Sequence, residues 1–75
     1  MYTILLVEDE AMELLALKYA VDMCCPDTFE ILEATDGTTA LSLCEKFHPS
    51  IMIVDINIPG ITGLELIQAA TNLDL

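Results

Sequence analysis

Arginine is missing from this chain, and lysine occurs only at Lys18 and Lys46. Against them stand 13 Asp and Glu residues, for a net charge of −11. A surface so poor in cations repels polyphosphate, which argues against nucleic-acid binding and, for the same reason, against docking on an anionic membrane. No run approaches the roughly 20 apolar residues of a membrane span. The apolar opening, Met1 to Val7, is too short for a signal-peptide core and lacks a basic flank. Neither GxGxxG nor a Walker pattern is present, which argues against a nucleotide-binding half-domain. The 3 cysteines, Cys24, Cys25 and Cys44, are an odd number with two adjacent. With no CxxC and no His/Cys pair at ligand spacing, they read as thiols of a reducing, cytoplasmic environment, not as a disulfide framework or metal ligands.

The chain is rich in apolar residues: 55% of its 75 residues are hydrophobic. A chain of this size is one domain at most and buries only about 60% of the surface its unfolded form exposes. Below roughly 80 residues a single core stabilises weakly. An apolar content this high in so small a chain points to oligomerisation or to covering structure outside it.

Ile4-Leu5-Leu6-Val7 is a continuous apolar run ended by Glu8-Asp9-Glu10, the pattern of a strand buried on both faces. Ala11 to Met23 reads as a helix of good helix formers, with Asp9 or Glu10 to cap it and Leu14, Leu17 and Val21 on one stripe; Pro26 ends it. Phe29 to Ala34 mixes apolar and charged residues and reads as an edge strand. Thr35-Asp36-Gly37 is a turn with Asp36 as N-cap. Thr38 to Phe47 places Ala40, Leu41, Cys44 and Phe47 on one buried helical face, and His48-Pro49 stops it. Ile51 to Val54 is a third apolar strand, ended by Asp55. Asn57, Pro59, Gly60 and Gly63 form a loop, and Leu64 to Ala70 starts a third helix. This β-α-β-α-β-α order predicts a parallel sheet with right-handed crossovers and helices on both faces.

Two of the strands end in acids: Glu8 and Asp9 after the first, Asp55 after the third. Were these strands parallel neighbours, the acids would lie about 5 Å apart, at the switch point where doubly wound sheets bind ligands. Carboxylates that close repel by roughly 3 kcal/mol per pair at an effective dielectric near 20. A hard divalent cation such as Mg²⁺ offsets that repulsion. The plainer reading is that Glu8 to Glu10 merely begin a helix; a second acid ending another buried strand favours the pocket.

Three segments resemble the response-regulator receiver domain of two-component signalling. They are Ile4-Leu5-Leu6-Val7-Glu8-Asp9-Glu10, Glu33-Ala34-Thr35-Asp36-Gly37 with Ala40-Leu41, and Ile53-Val54-Asp55-Ile56-Asn57-Ile58-Pro59-Gly60-Ile61-Thr62-Gly63. They occur in the family's order and spacing, and the last is the most specific. The resemblance implies an incomplete doubly wound, flavodoxin-like α/β fold, residues 1–75, with strand order 2-1-3 and the last two strands lacking. It implies that Asp55 takes a phosphoryl group from a phosphohistidine on a sensor histidine kinase. It makes Asp9 a direct Mg²⁺ ligand and Glu8, where Asp is more usual, its acidic partner. Asn57 would offer the metal its backbone carbonyl, Pro59 and Gly60 would shape the loop, and Gly63 would begin the third helix. Such a domain is regulatory, not an enzyme in its own right.

The match departs from the family where the family's Ser/Thr on the fourth strand and Lys at the end of the fifth have no counterpart; Lys18 and Lys46 lie on predicted helices. Phosphorylation is therefore expected to be impaired, and the third strand to present an apolar edge open to a second copy. Met1 reads as a genuine N-terminus, and the chain as the first part of a longer regulator. The alternative is an interaction module that is not phosphorylated and associates through that third-strand edge. A hydrolase with an Asp nucleophile usually has a second Asp two positions on, where Asn57 stands. His48 reads as a surface residue at a helix end, Met12 and Met23 as core filler or helix face, and Tyr19 as a helix-surface aromatic. Glu13, Asp22, Glu30, Glu45 and Glu65 read as solvated.

Overall fold

The structure, a computed structural model, describes residues 2–24, 27–55 and 58–72, without the side chains of Ala70 and Asn72. Six elements alternate: β1 (Tyr2–Val7), α1 (Ala11–Cys24), β2 (Phe29–Ala34), α2 (Gly37–Phe47), β3 (Ile51–Val54) and α3 (Gly63–Asn72). The strands form one parallel sheet in the order β2-β1-β3, as the sequence predicts. β1 is central, which is why Ile4 to Val7 can be apolar without alternation: all four are at most 3% exposed.

The two faces of the sheet bury different helices. Leu5 and Val7 pack with Ala34, Ala40, Cys44, Ile58 and Leu66 under α2 and α3. Ile4 and Leu6 pack with Leu14 of α1, backed by Leu17, Val21, Phe29 and Ile31. The predicted α1 stripe is therefore the one that faces the sheet. Each fully buried side chain of this kind stabilises by about 1.5–3 kcal/mol.

Helix ends follow local chemistry. Glu10 begins α1: its carbonyl accepts from the Leu14 amide at 2.9 Å and its carboxylate from the Met12 amide at 3.3 Å. Asp36 caps α2, accepting from the Thr39 amide at 2.7 Å and the Thr39 hydroxyl at 3.1 Å. α2 starts at Gly37, one residue earlier than expected, directly after the Asp36 cap; a side chain at Gly37 would run into Ile61, and the glycine's amide donates to the Pro59 carbonyl at 3.0 Å. Phe47 departs from the expected buried face: it is 44% exposed, with the Lys46 ammonium 5.2 Å from its ring centre. At the last residue of α2 it is not among the residues packed against the core of that face. α3 begins at Gly63 and continues beyond Ala70. Pro26, read as the stop of α1, lies outside the described residues.

Candidate functional site

β1 lies between β2 and β3, and its ladder continues past the regular strands. The Glu8 amide donates to the Ala34 carbonyl at 3.0 Å, and the Asp55 amide donates to the Val7 carbonyl at 3.0 Å. These bonds pin the backbones of Glu8 and Asp55 side by side at the carboxyl ends of β1 and β3. Helix α1 lies on one face of the sheet and α2 and α3 on the other. The gap between β1 and β3 is thus the switch point of the sheet, where ligands of such folds bind.

There Glu8, Asp9 and Asp55 can each bring one carboxylate oxygen within 4.8 Å of the other two. Glu8 is buried at 6% exposure, Asp55 is half-buried, and Asp9 is open to solvent. The cluster therefore has a closed floor and an open mouth. Asn57, whose carbonyl was expected to join it, lies outside the described residues.

Opposed influences act on Glu8. The Glu10 amide donates to its Oε1 at 3.1 Å and favours the charged form. Burial and the like charges of Glu13 and Asp55 outweigh that and hold its pKa above the ordinary carboxylate value. Neither lysine is engaged here: Lys18 Nζ is 2.9 Å from Glu33, and Lys46 stands over Phe47. Three converging hard oxygen donors, one of them buried against like charge, fit a small divalent cation such as Mg²⁺ better than any soft metal.

Glu13, expected to be solvated, is surface-exposed. One feature escapes the sequence reading. Thr62 and Glu65 form a reciprocal capping box for α3: the Glu65 amide donates to Thr62 Oγ1 at 3.2 Å and the Thr62 amide to Glu65 Oε1 at 3.1 Å. That box was legible in the T-x-x-E pattern itself.

The family model of the response regulator receiver domain matches residues 4–74. The chain is 35% identical over 66 residues to the nitrate/nitrite response regulator protein NarL of Escherichia coli K12, covering 88% of this chain and 30% of that protein. It is 28% identical over 65 residues to the DNA-binding transcriptional activator EvgA of the same strain, covering 85% and 30%. To a putative transcriptional regulator of Pseudomonas aeruginosa it is 37% identical over 76 aligned residues, covering 100% and 35%. The chain thus spans about a third of the length of these relatives.

Proposed function

The chain belongs to the response regulator receiver domain family, and on that premise we propose that Asp55 accepts a phosphoryl group from a phosphohistidine of a sensor histidine kinase. Residues 1–75 form the portion of the domain that carries the acidic pocket, and it acts in the cytoplasm as a regulatory phosphoacceptor. The observation that carries this reading is the convergence of Glu8, Asp9 and Asp55 at the switch point of the sheet.

The reaction asks little covalent chemistry of the protein. A carboxylate oxygen of Asp55 attacks phosphorus in line, the bond from phosphorus to the histidine nitrogen breaks, and an acyl phosphate remains. The Asp55 amide, bonded to the Val7 carbonyl, fixes where that carboxylate stands. Glu8 and Asp9, with Asp55 and the Asn57 carbonyl, would hold Mg²⁺, which when bound supplies positive charge against the phosphoryl oxygens. Without such a charge the incoming group meets only carboxylates. Incubation with acetyl phosphate and Mg²⁺ should add the mass of one phosphoryl group to the chain. Asp55→Asn and chelation should each abolish the adduct. An adduct that survives Asp55→Asn refutes the assignment.

The second reading is an interaction module that is not phosphorylated, with a second copy adding through the edge of β3. It is favoured by that strand's pairing: among the described residues β3 pairs with β1 alone, and Ile51 and Ile53 are 45% and 37% exposed. An absent adduct together with concentration-dependent dimerisation supports this reading instead.

A further inference from the structure

We propose that Gly37 is a positioning residue for the segment that follows the phosphoacceptor. With no side chain at 37, the backbone of Pro59 to Ile61 seats directly on the first turn of α2, and this seat fixes the chain that leaves Asp55. The proposal deepens the reading of the acidic pocket given above and rests on it.

Two anchors define the segment. At one end the Asp55 amide donates to the Val7 carbonyl at 3.0 Å. At the other, Ile58 is buried at 6% exposure in the core beneath α2 and α3, and the Pro59 carbonyl accepts from the Gly37 amide at 3.0 Å. Only Ile56 and Asn57 separate these anchors in the sequence. With consecutive Cα atoms about 3.8 Å apart, so short a span has little slack, and a displacement at Pro59 is passed on toward Asp55.

The seat is closely fitted on both sides. A Cβ at Gly37 would overlap the carbonyl oxygen and Cγ1 of Ile61. One of these atoms is backbone, so a rotamer change in Ile61 does not clear the space. The Ile61 side chain is itself packed against the core under α2 and α3. Across the seat, Gly60 turns with φ 86°, and a Cβ on it would come within 3.3 Å of Thr38 Oγ1. Each glycine thus stands against the other's segment. The helix alone does not ask for a glycine here. Gly37 follows the capping Asp36, and Ala is the better helix former. The residue at 37 is explained by the loop it receives.

Asp55 is the proposed phosphoacceptor and one of the three carboxylates whose oxygens converge. Gly37 therefore acts on the pocket through Asp55, without touching a cation or a phosphoryl group. Loss of a contact that orients a metal ligand costs about 10–100-fold in affinity.

The test uses the full chain, Mn²⁺ as probe and three substitutions. Gly37→Ala fills the seat and keeps the amide donor. Ile61→Ala loosens the loop from the other side. Val21→Ala removes a partly buried apolar group from the opposite face of the sheet. Backbone amide resonances are recorded in chelator, and free Mn²⁺ is measured by electron paramagnetic resonance. Gly37→Ala should shift the amide resonances of Ile58, Gly60 and Ile61 and also that of Asp55, and should weaken Mn²⁺ binding about 10-fold. Ile61→Ala should weaken it more than Val21→Ala does. The proposal is overturned if a folded Gly37→Ala protein binds Mn²⁺ like the wild type, or if Val21→Ala loses as much as Ile61→Ala. Should Gly37→Ala not fold, the comparison of Ile61→Ala with Val21→Ala decides. A wild type that binds no Mn²⁺ removes the pocket reading, and the resonances then decide alone. A shift that reaches Asp55 supports the seat; one confined to residues 58–61 rejects it.

Discussion

Glu8 sits where hydrogen bonding and repulsion oppose each other, and its titration has a readable consequence. The Glu10 amide favours its charge, but burial, Glu13 and Asp55 together raise its pKa above 4.5. A carboxyl that holds its proton more tightly folded than unfolded stabilises the fold at low pH, and that contribution is lost as pH rises from about 4.5 through the raised value. In chelator, thermal melts should therefore show stability falling over that window, with Glu8→Gln flattening the fall and melting higher than wild type at neutral pH. Mg²⁺ should raise the wild-type melting temperature and leave Glu8→Gln nearly unmoved. His48 gives a second residue-scale prediction. It ends α2 in the left-handed region, at φ 46°, with its amide donating to the Cys44 carbonyl at 3.0 Å. Glycine adopts that conformation without a Cβ clash, at some cost in unfolded-state entropy. His48→Gly should stabilise by a few tenths to about 1 kcal/mol, seen as a higher denaturation midpoint.

At the scale of elements, α3 depends on how it starts. It touches the sheet through the fully buried Leu66, whose amide donates to the Thr62 carbonyl at 2.9 Å. Thr62 also supplies half of the capping box. Thr62→Ala leaves the Glu65 amide without its acceptor and should cost about 0.5–2 kcal/mol. In a domain of this size each 1 kcal/mol lowers the melting temperature by roughly 4–8 °C, and calorimetry reads that directly. Strand β3 is the other exposed element. Met52 and Val54 pack under the α2 and α3 side, whereas Ile51 and Ile53, which share a face with Ile4 and Leu6, stay partly open. α1 lies over β1 and β2 and does not reach them.

For the whole molecule, net charge and the open edge pull in opposite directions. A chain of charge −11 repels its own copies, while Ile51 to Val54 carries no charge and leaves one side of its backbone without a strand partner among the described residues. Edge strands of that kind recruit other strands unless a charge guards them. Light scattering should show self-association that grows with concentration and with salt, since salt screens the repulsion. Ile53→Lys should keep the chain monomeric under the same conditions. A wild-type chain that stays monomeric at high concentration and high salt rejects pairing through β3.

The sequence by itself determined the strands, the helices and their order, because burial on both faces writes Ile4–Val7 as an unbroken apolar run and burial on one face writes α2 at helical spacing. α1 is instead legible from its helix formers, being apolar on its exposed side too at Met12, Leu15, Tyr19 and Met23. The sequence also determined the cap at Asp36 and narrowed that of α1 to Asp9 or Glu10; the T-x-x-E box of α3, passed over with Glu65 read as solvated, is equally local hydrogen bonding within one turn. Only the tertiary structure decided which acids meet. Glu8 and Asp55 are 47 residues apart in the chain and become neighbours because β3 pairs with the open side of β1. Phe47, placed on a buried face by its spacing, is 44% exposed and lies outside the packed core of that face. Periodicity records which side of an element is apolar; what lies opposite that side is set by contacts between segments distant in sequence.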